Sequence, residues 1–205
     1  MPRLTPANRE ARRADIVAAA RRCFSRDGFH QTSMPDIAAE AGVSTGAPYR
    51  YFASKEEIIL EIARQAFRSV FDPVIDAAEG VGGTTIAGIA DLVDLAVQPM
   101  HQETAGATPT SVAELFRCAV QTWGELLRHP QLRAEAVSGF DEVRNTLSAA
   151  LRRGQETGRV SAAIDPEGAA RVTIALIHGI LLQWVAFGLE DIRGLAEQVR
   201  TLLAR

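Results

Sequence analysis

Residues 33–51 read Ser-Met-Pro-Asp-Ile-Ala-Ala-Glu-Ala-Gly-Val-Ser-Thr-Gly-Ala-Pro-Tyr-Arg-Tyr. Ser33 can cap a helix, with Asp36 three residues on in the capping-box arrangement, Asp standing where Glu or Gln is usual. Met34, Ile37, Ala38 and Ala41 then recur at i, i+3, i+4 and i+7, one apolar stripe of an α-helix. Gly42 follows where a helix needs positive φ to stop. Val43 is placed as a buried plug. Ser44 can cap a next helix running through Tyr49, Arg50 and Tyr51. Helix, glycine turn, helix is the pattern that offers its second helix to the major groove of DNA.

Working outward, Ile16, Ala20, Cys23 and Phe24 fall at helical spacing upstream, and Arg26-Asp27-Gly28-Phe29 stops that helix. Downstream come Tyr49-Arg50-Tyr51-Phe52, then Ser54-Lys55-Glu56-Glu57, then a long amphipathic helix. Residues 9–62 as a run resemble the N-terminal domain of TetR-family transcriptional regulators. The resemblance rests on Phe24, Gly28, Thr32-Ser33, Asp36-Ile37-Ala38, Ala41-Gly42-Val43-Ser44, Gly46, Tyr49, Tyr51-Phe52 and Ser54-Lys55-Glu56 at fixed spacing.

Charge divides unevenly along the 205 residues. Residues 1–55 hold nine Lys and Arg against five acids, and the remainder holds thirteen against twenty. A basic head on an acidic body is the footprint of a protein that meets nucleic acid at one end. Cys23 and Cys118 are too few for a disulfide framework and read as reduced core residues. Residues 1–15 are polar and basic without an apolar run, so no secretory signal is expected and the predicted location is cytoplasmic. Val172–Leu189 approaches the length of a membrane span but is interrupted by Thr173, His178, Gln183 and two glycines, and is read as a buried helix.

The remaining periodicities predict an all-α chain of about nine helices. The first covers 8–27, and the second and third make the reading unit. The fourth starts at Ser54, with Glu57 closing a capping box, and runs to about Ala78 past Pro73. Gly80, Gly82 and Gly83 break the chain. Further helices are expected over 85–102, 111–128, 130–157, 166–188 and 191–203, the eighth capped by Asp165 with Pro166 at N1. The expected division is a DNA-binding helix-turn-helix domain, 1–53, and an effector-binding and dimerisation domain, 54–205.

DNA binding needs cations that displace counterions, helix N-termini aimed at phosphates, and side chains offered to base edges. Thr32 and Ser33 can donate to phosphate at the start of the second helix. Thr45, Gly46, Ala47, Tyr49 and Arg50 are the candidates on the third; Gly46 would let the backbone approach closely, and the fork of Arg50 suits a guanine edge. Tyr51 is assigned to phosphate. Lys55, the chain's only lysine, stands at N1 of the fourth helix and is a phosphate contact by resemblance. Two residues depart from the family pattern. Pro48 replaces an apolar residue and disfavours helix at Ala47, so the third helix is expected to start late. Pro35 stands where many relatives carry a basic residue.

For the body, the resemblance implies a ligand-binding, dimerising module. Helices eight and nine are the expected homodimer surface, with Gly179, Leu182 and Ala186 at helical spacing. Met100, Phe116, Trp123, Phe140, Leu147 and His178 are the candidate lining of an effector pocket. The expectation is a repressor released from a pseudo-palindromic operator by an unidentified small molecule, with the fourth helix as the only link between head and body. The alternatives are a DNA-binding regulator without a small-molecule effector, or an all-α ligand-sequestering or protein-interaction module that no longer reads DNA. Scattered His101, His129 and His178 give no metal-ligand spacing. No nucleophile–base pair or phosphate loop points to an enzyme, and no cofactor is expected.

Overall fold

The computed structural model describes residues 6–80, 89–103, 112–188 and 194–203. Among them there are eight α-helices and no strand: α1 (Pro6–Asp27), α2 (Met34–Glu40), α3 (Lys55–Glu79), α4 (Ile89–Glu103), α5 (Val112–Arg128), α6 (Pro130–Glu156), α7 (Pro166–Phe187) and α8 (Leu195–Leu203). A single 3-10 turn, Pro48–Arg50, lies between α2 and α3. The expected helix starts at 85, 111 and 191 and the loop 104–109 lie outside the described residues.

The chain forms two compact units, one of residues 1–66 with 108–128, the other of residues 67–107 with 129–205. Packing thus places α5, from the middle of the expected body, with the N-terminal helices. The expectation that the fourth helix alone reaches the head does not hold, because α5 packs on α1.

In the first unit the stripe of α1 buries Ile16, Val17, Ala20 and Phe24 against Met34 and Ile37 of α2, Ile58, Ile59 and Ile62 of α3, and Phe29, Phe52 and Cys118. Each large side chain taken fully from water contributes roughly 1.5–3 kcal/mol, and this sum holds helices too short to persist alone. Cys23 and Cys118 are both buried and free. Burial pushes the Cys118 thiol up to about 12 and the Cys23 thiol upward, so neither is a ready thiolate.

In the second unit α6 packs on α7, and α4 packs on both α7 and α8. The C-terminal half of α3 contributes Phe67 and Phe71, and Arg153 of α6 donates to the Ala78 carbonyl in its last turn at 2.6 Å. Pro73 is accommodated inside α3. At the start of α7 the Asp165 carboxylate accepts from the Glu167 and Gly168 amides, with Pro166 at N1, as the sequence predicts. The helix ends at Gly188 in the left-handed region.

α7 is long and apolar enough to cross a membrane, by length and composition only. In the single chain it is buried on one face only. Ala170, Thr173, Ile177, Ile180 and Leu181 are buried, while Val172, Leu182 and Phe187 are exposed by 52%, 43% and 78%.

Candidate nucleic-acid interface

The reading unit is built by short-range chemistry. Ser33 Oγ accepts from the Asp36 amide at 3.4 Å, and the Asp36 carboxylate accepts from the Ser33 amide at 2.8 Å. The capping box is therefore complete with Asp at N3. Hydrogen bonds from Ser33 hold the Asp36 carboxyl below the usual carboxylate range. After α2, Gly42 takes φ +65°, and Val43 donates to the Ala38 carbonyl at 3.0 Å. Val43 itself is only half-buried.

The third helix differs from expectation. Residues 44–47 make a turn, and only Pro48–Arg50 are helical, as one 3-10 turn. Pro48 is the cause: it has no N–H to close an α-turn onto Ser44. Ala47 instead donates to Ser44, and Tyr51 and Phe52 donate to the Pro48 carbonyl. Buried Pro48 and Phe52 anchor the segment from below. Tyr49 and Arg50 face outward, Tyr49 with 55% exposure. Thr45 and Gly46 are exposed, and Ala47 and Tyr51 half-buried. Tyr51 packs its ring against the head core.

Most head cations already have partners. Arg13 pairs with Glu61 at 3.0 Å and Arg22 with Glu40 at 2.7 Å, while Arg26 meets Asp27 and Glu40. Arg12 approaches Asp15 at 3.8 Å, and Arg21 is buried. Arg50 is exposed and makes no ion pair among the described residues, so its charge is available to an anionic partner.

Two expected contacts sit elsewhere. Thr32 is buried, and its hydroxyl donates to the Gly28 carbonyl at 2.9 Å. Lys55 does stand at the start of α3. Its ammonium donates to the carbonyls of Phe29 at 2.8 Å and Thr32 at 3.0 Å, reaches that of His30 at 3.5 Å, and lies 4.5 Å from the Phe29 ring centroid. The lysine's three donors are turned onto the α1–α2 connection. Gln121 of α5 meets the same connection. Its amide nitrogen donates to the Phe24 carbonyl at 3.0 Å, and its oxygen accepts from the Phe29 amide at 2.9 Å. Sequence reading passed over Gln121; the signal available was an amide directly after the apolar run Cys118-Ala119-Val120.

A short capped helix, a glycine turn and an outward Tyr-Arg pair thus make up the reading unit. Residues 16–62 match the profile of bacterial regulatory proteins of the tetR family, and residues 102–205 that of the BetI-type transcriptional repressor C-terminal region. The second match alone spans half of the chain. The chain belongs to the TetR family.

An uncharacterised helix-turn-helix regulator of Bacillus subtilis, YfiR, is 26% identical over 98% of this chain and 95% of its own. Among solved structures, GusR of Salmonella enterica superposes with TM-score 0.68 at 26% identity, covering 98% of this chain and 97% of its own. A regulator from Saccharomonospora viridis, solved in complex with choline, superposes with TM-score 0.65 at 28% identity, over 96% and 94% of the two chains. This TetR-family protein is thus a DNA-binding transcriptional regulator of the helix-turn-helix type.

The candidate effector residues divide between the units. Phe116 and Trp123 stand on α5 in the first, Phe116 buried and Trp123 54% exposed. Phe140, Leu147 and His178 belong to the second, where Leu147 is buried. There the Phe140 ring lies 5.1 Å from Phe67 and 4.9 Å from His178, and Phe71 lies 4.7 Å from Phe67. The set is thus three phenyl rings and an imidazole, two of which the sequence reading did not include. Burial holds the His178 imidazole below its ordinary range. The side chain of Met100 lies outside the described residues.

Proposed function

We propose that this chain is a sequence-specific repressor that leaves a pseudo-palindromic operator when a small molecule binds its body. The observation that carries the reading is the exposed Tyr49–Arg50 pair on a turn anchored by Pro48 and Phe52, in a TetR-family chain with a basic head. Arg50 would read a base edge. Tyr49, Tyr51, Ser33 and the backbone at Thr45, Gly46 and Ala47 would face sugar and phosphate. Thr32 and Lys55 would serve by holding the connection before α2. With α2 short and its second position occupied by Pro35, much of the affinity would come from phosphates, which carry no sequence information.

In functional terms residues 1–53 would be the DNA-binding domain and 54–205 the effector and dimer domain. Val172, Leu182 and Phe187 on α7, with Leu202 on α8, leave apolar surface uncovered in the single chain, which supports pairing of these helices with a second copy. Phe140, Leu147 and His178, with Phe67 and Phe71, are the proposed effector lining. The choline complex of the Saccharomonospora viridis relative makes choline the first probe, since aromatic faces attract quaternary ammonium groups. Effector and operator would each weaken the other's binding by the same factor. The cytoplasm is the compartment in which such a protein meets its operator.

The test is selection of random duplexes by the purified protein, followed by binding of the winner across a salt series. A palindrome is expected to enrich, with affinity falling steeply as salt rises. No enriched sequence, or affinity indifferent to salt, would overturn the reading.

A further inference from the structure

Gln121 lies 92 residues from Phe29 in sequence, yet it bonds the last turn of α1 and the connection after it: the Phe24 carbonyl at 3.0 Å and the Phe29 amide at 2.9 Å. Lys55 holds the carbonyl side of the same Phe29 residue at 2.8 Å. The connection between α1 and α2 is thereby clamped from two elements. Two local bonds add to the clamp: Gly28 N–H donates to the Phe24 carbonyl, and the Thr32 hydroxyl donates to the Gly28 carbonyl. The clamp at Phe29 sits four residues before Ser33, the N-cap of α2. α2 has seven residues, too few to hold a direction by its own hydrogen bonds. Its direction therefore follows from its buried stripe and from where this connection delivers it.

The face of α5 that reaches the head is one stripe. Cys118 is buried in the head core and donates its thiol to the Arg21 carbonyl at 3.4 Å. Glu125, buried, lies 3.3 Å from His30 Nε2, and Arg128 Nη1 lies 3.0 Å from the same nitrogen. Cys118, Gln121, Glu125 and Arg128 recur at i, i+3, i+7 and i+10, so α5 serves as a fourth helix of the head. Of these, Gln121 is the one that bonds the backbone of the connection with both atoms of its amide.

We propose that Gln121 is a positioning residue for DNA recognition: its amide, opposed by Lys55, fixes the Phe29 peptide and so sets where α2 and the Pro48–Arg50 turn meet the duplex. The proposal rests on the DNA-reading function above. A residue that merely stabilises the fold lowers the melting temperature but leaves the affinity of the folded protein unchanged. A positioning residue changes the affinity of the folded protein for its selected duplex, and leaves binding to a scrambled duplex alone.

The experiment uses the full chain, wild type, Gln121→Met and Gln121→Glu, with the enriched duplex and a scrambled duplex of equal length, well below the melting temperature. Amide hydrogen exchange of the segment from Gly28 to Glu40 is followed without DNA. Gln121→Met keeps the volume and loses both bonds. It is expected to bind the selected duplex about tenfold more weakly, because the freed connection must then be re-ordered on the duplex, with scrambled-duplex binding unchanged and Phe29 protection lost. Gln121→Glu keeps the acceptor for the Phe29 amide and is expected between the two; should the Met variant not fold, Gln121→Glu decides by the same readouts. Wild-type affinity and salt dependence in a folded variant would overturn the proposal. A wild-type protein that enriches no duplex would instead overturn the DNA-reading function itself, so the two failures are distinct.

Discussion

The Lys55 ammonium donates to the Phe29 carbonyl oxygen at 2.8 Å and lies 4.5 Å from the centroid of the same residue's ring. With the Thr32 carbonyl at 3.0 Å, this cation is spent on the protein's own backbone. Hydrogen bonds to charged groups contribute roughly 1.5–3 kcal/mol. Lys55→Met is therefore expected to lower unfolding stability by about 2 kcal/mol in urea titrations. The slope of log affinity against log salt on the selected duplex should stay at its wild-type value. A slope shallower by about one unit, with stability intact, would return Lys55 to the phosphates.

Gly42 and Gly46 should respond oppositely to alanine. Gly42 has φ +65°, and a Cβ there meets nothing within 4 Å, so only backbone strain opposes substitution. Gly42→Ala is expected to destabilise the fold by about 1–2 kcal/mol. Gly46 is exposed, has no positive φ, and a Cβ there also meets nothing. Gly46→Ala should leave the melting temperature unchanged while weakening the selected duplex. Equal DNA binding by Gly46→Ala and wild type would show that no DNA approaches that backbone.

Arg50 is exposed beside Tyr49 on the 3-10 turn. Arg50→Ala is expected to cost about 1–3 kcal/mol of discrimination at one base pair of each half-site, because the guanidinium fork matches a guanine edge. Repeating the duplex selection with the variant reads this as relaxed preference at that position. Uniform weakening across all sequences would assign Arg50 to phosphate. Sedimentation of wild type and variant should match, since the residue is remote in sequence from α7 and α8.

His178 is expected to make the second unit acid-sensitive. Its ring lies among Phe71 and Phe140. Nδ1 is 2.8 Å from the Ile174 carbonyl, and since a carbonyl only accepts, Nδ1 carries the proton of a neutral ring. Burial lowers its pKa from the ordinary 6.5. As pH falls through that value the unfolded chain takes up a proton that the folded chain refuses, so stability decreases downward from there until the lowered pKa is passed. Denaturant titrations from about pH 7.5 to about pH 5.5 should show this loss, and His178→Phe should flatten it. A pH dependence identical in the variant would remove His178 as the cause.

Much of the head was legible because its signals are local. The cap at Ser33 with Asp36, the stop at Gly42 and the stripe Ile16-Ala20-Phe24 each involve residues within a turn or two of one another, and so does the cap at Asp165 in the second unit. The structure places all of them as expected. Pro48 was legible in part: its missing N–H announced an irregular turn, but its burial with Phe52 beneath a helix of only three residues came from the fold. The candidate effector residues were the least legible. An apolar side chain on a helical stripe looks the same whether it faces a ligand, a neighbouring helix or another copy, and six such residues from four helices fell into two units.

The residues alone thus determined an all-α chain, its caps and turns, a basic head and a reading unit, because propensity, capping and periodicity act over three or four positions. Only the tertiary structure decided what Lys55 and Gln121 bond, that α5 completes the head, and which face of α7 stays uncovered. The first two outcomes rest on hydrogen bonds between groups 23–97 residues apart, the third on which helices pack against α7. Such bonds have no period to read, and form only once the apolar stripes have brought the helices together.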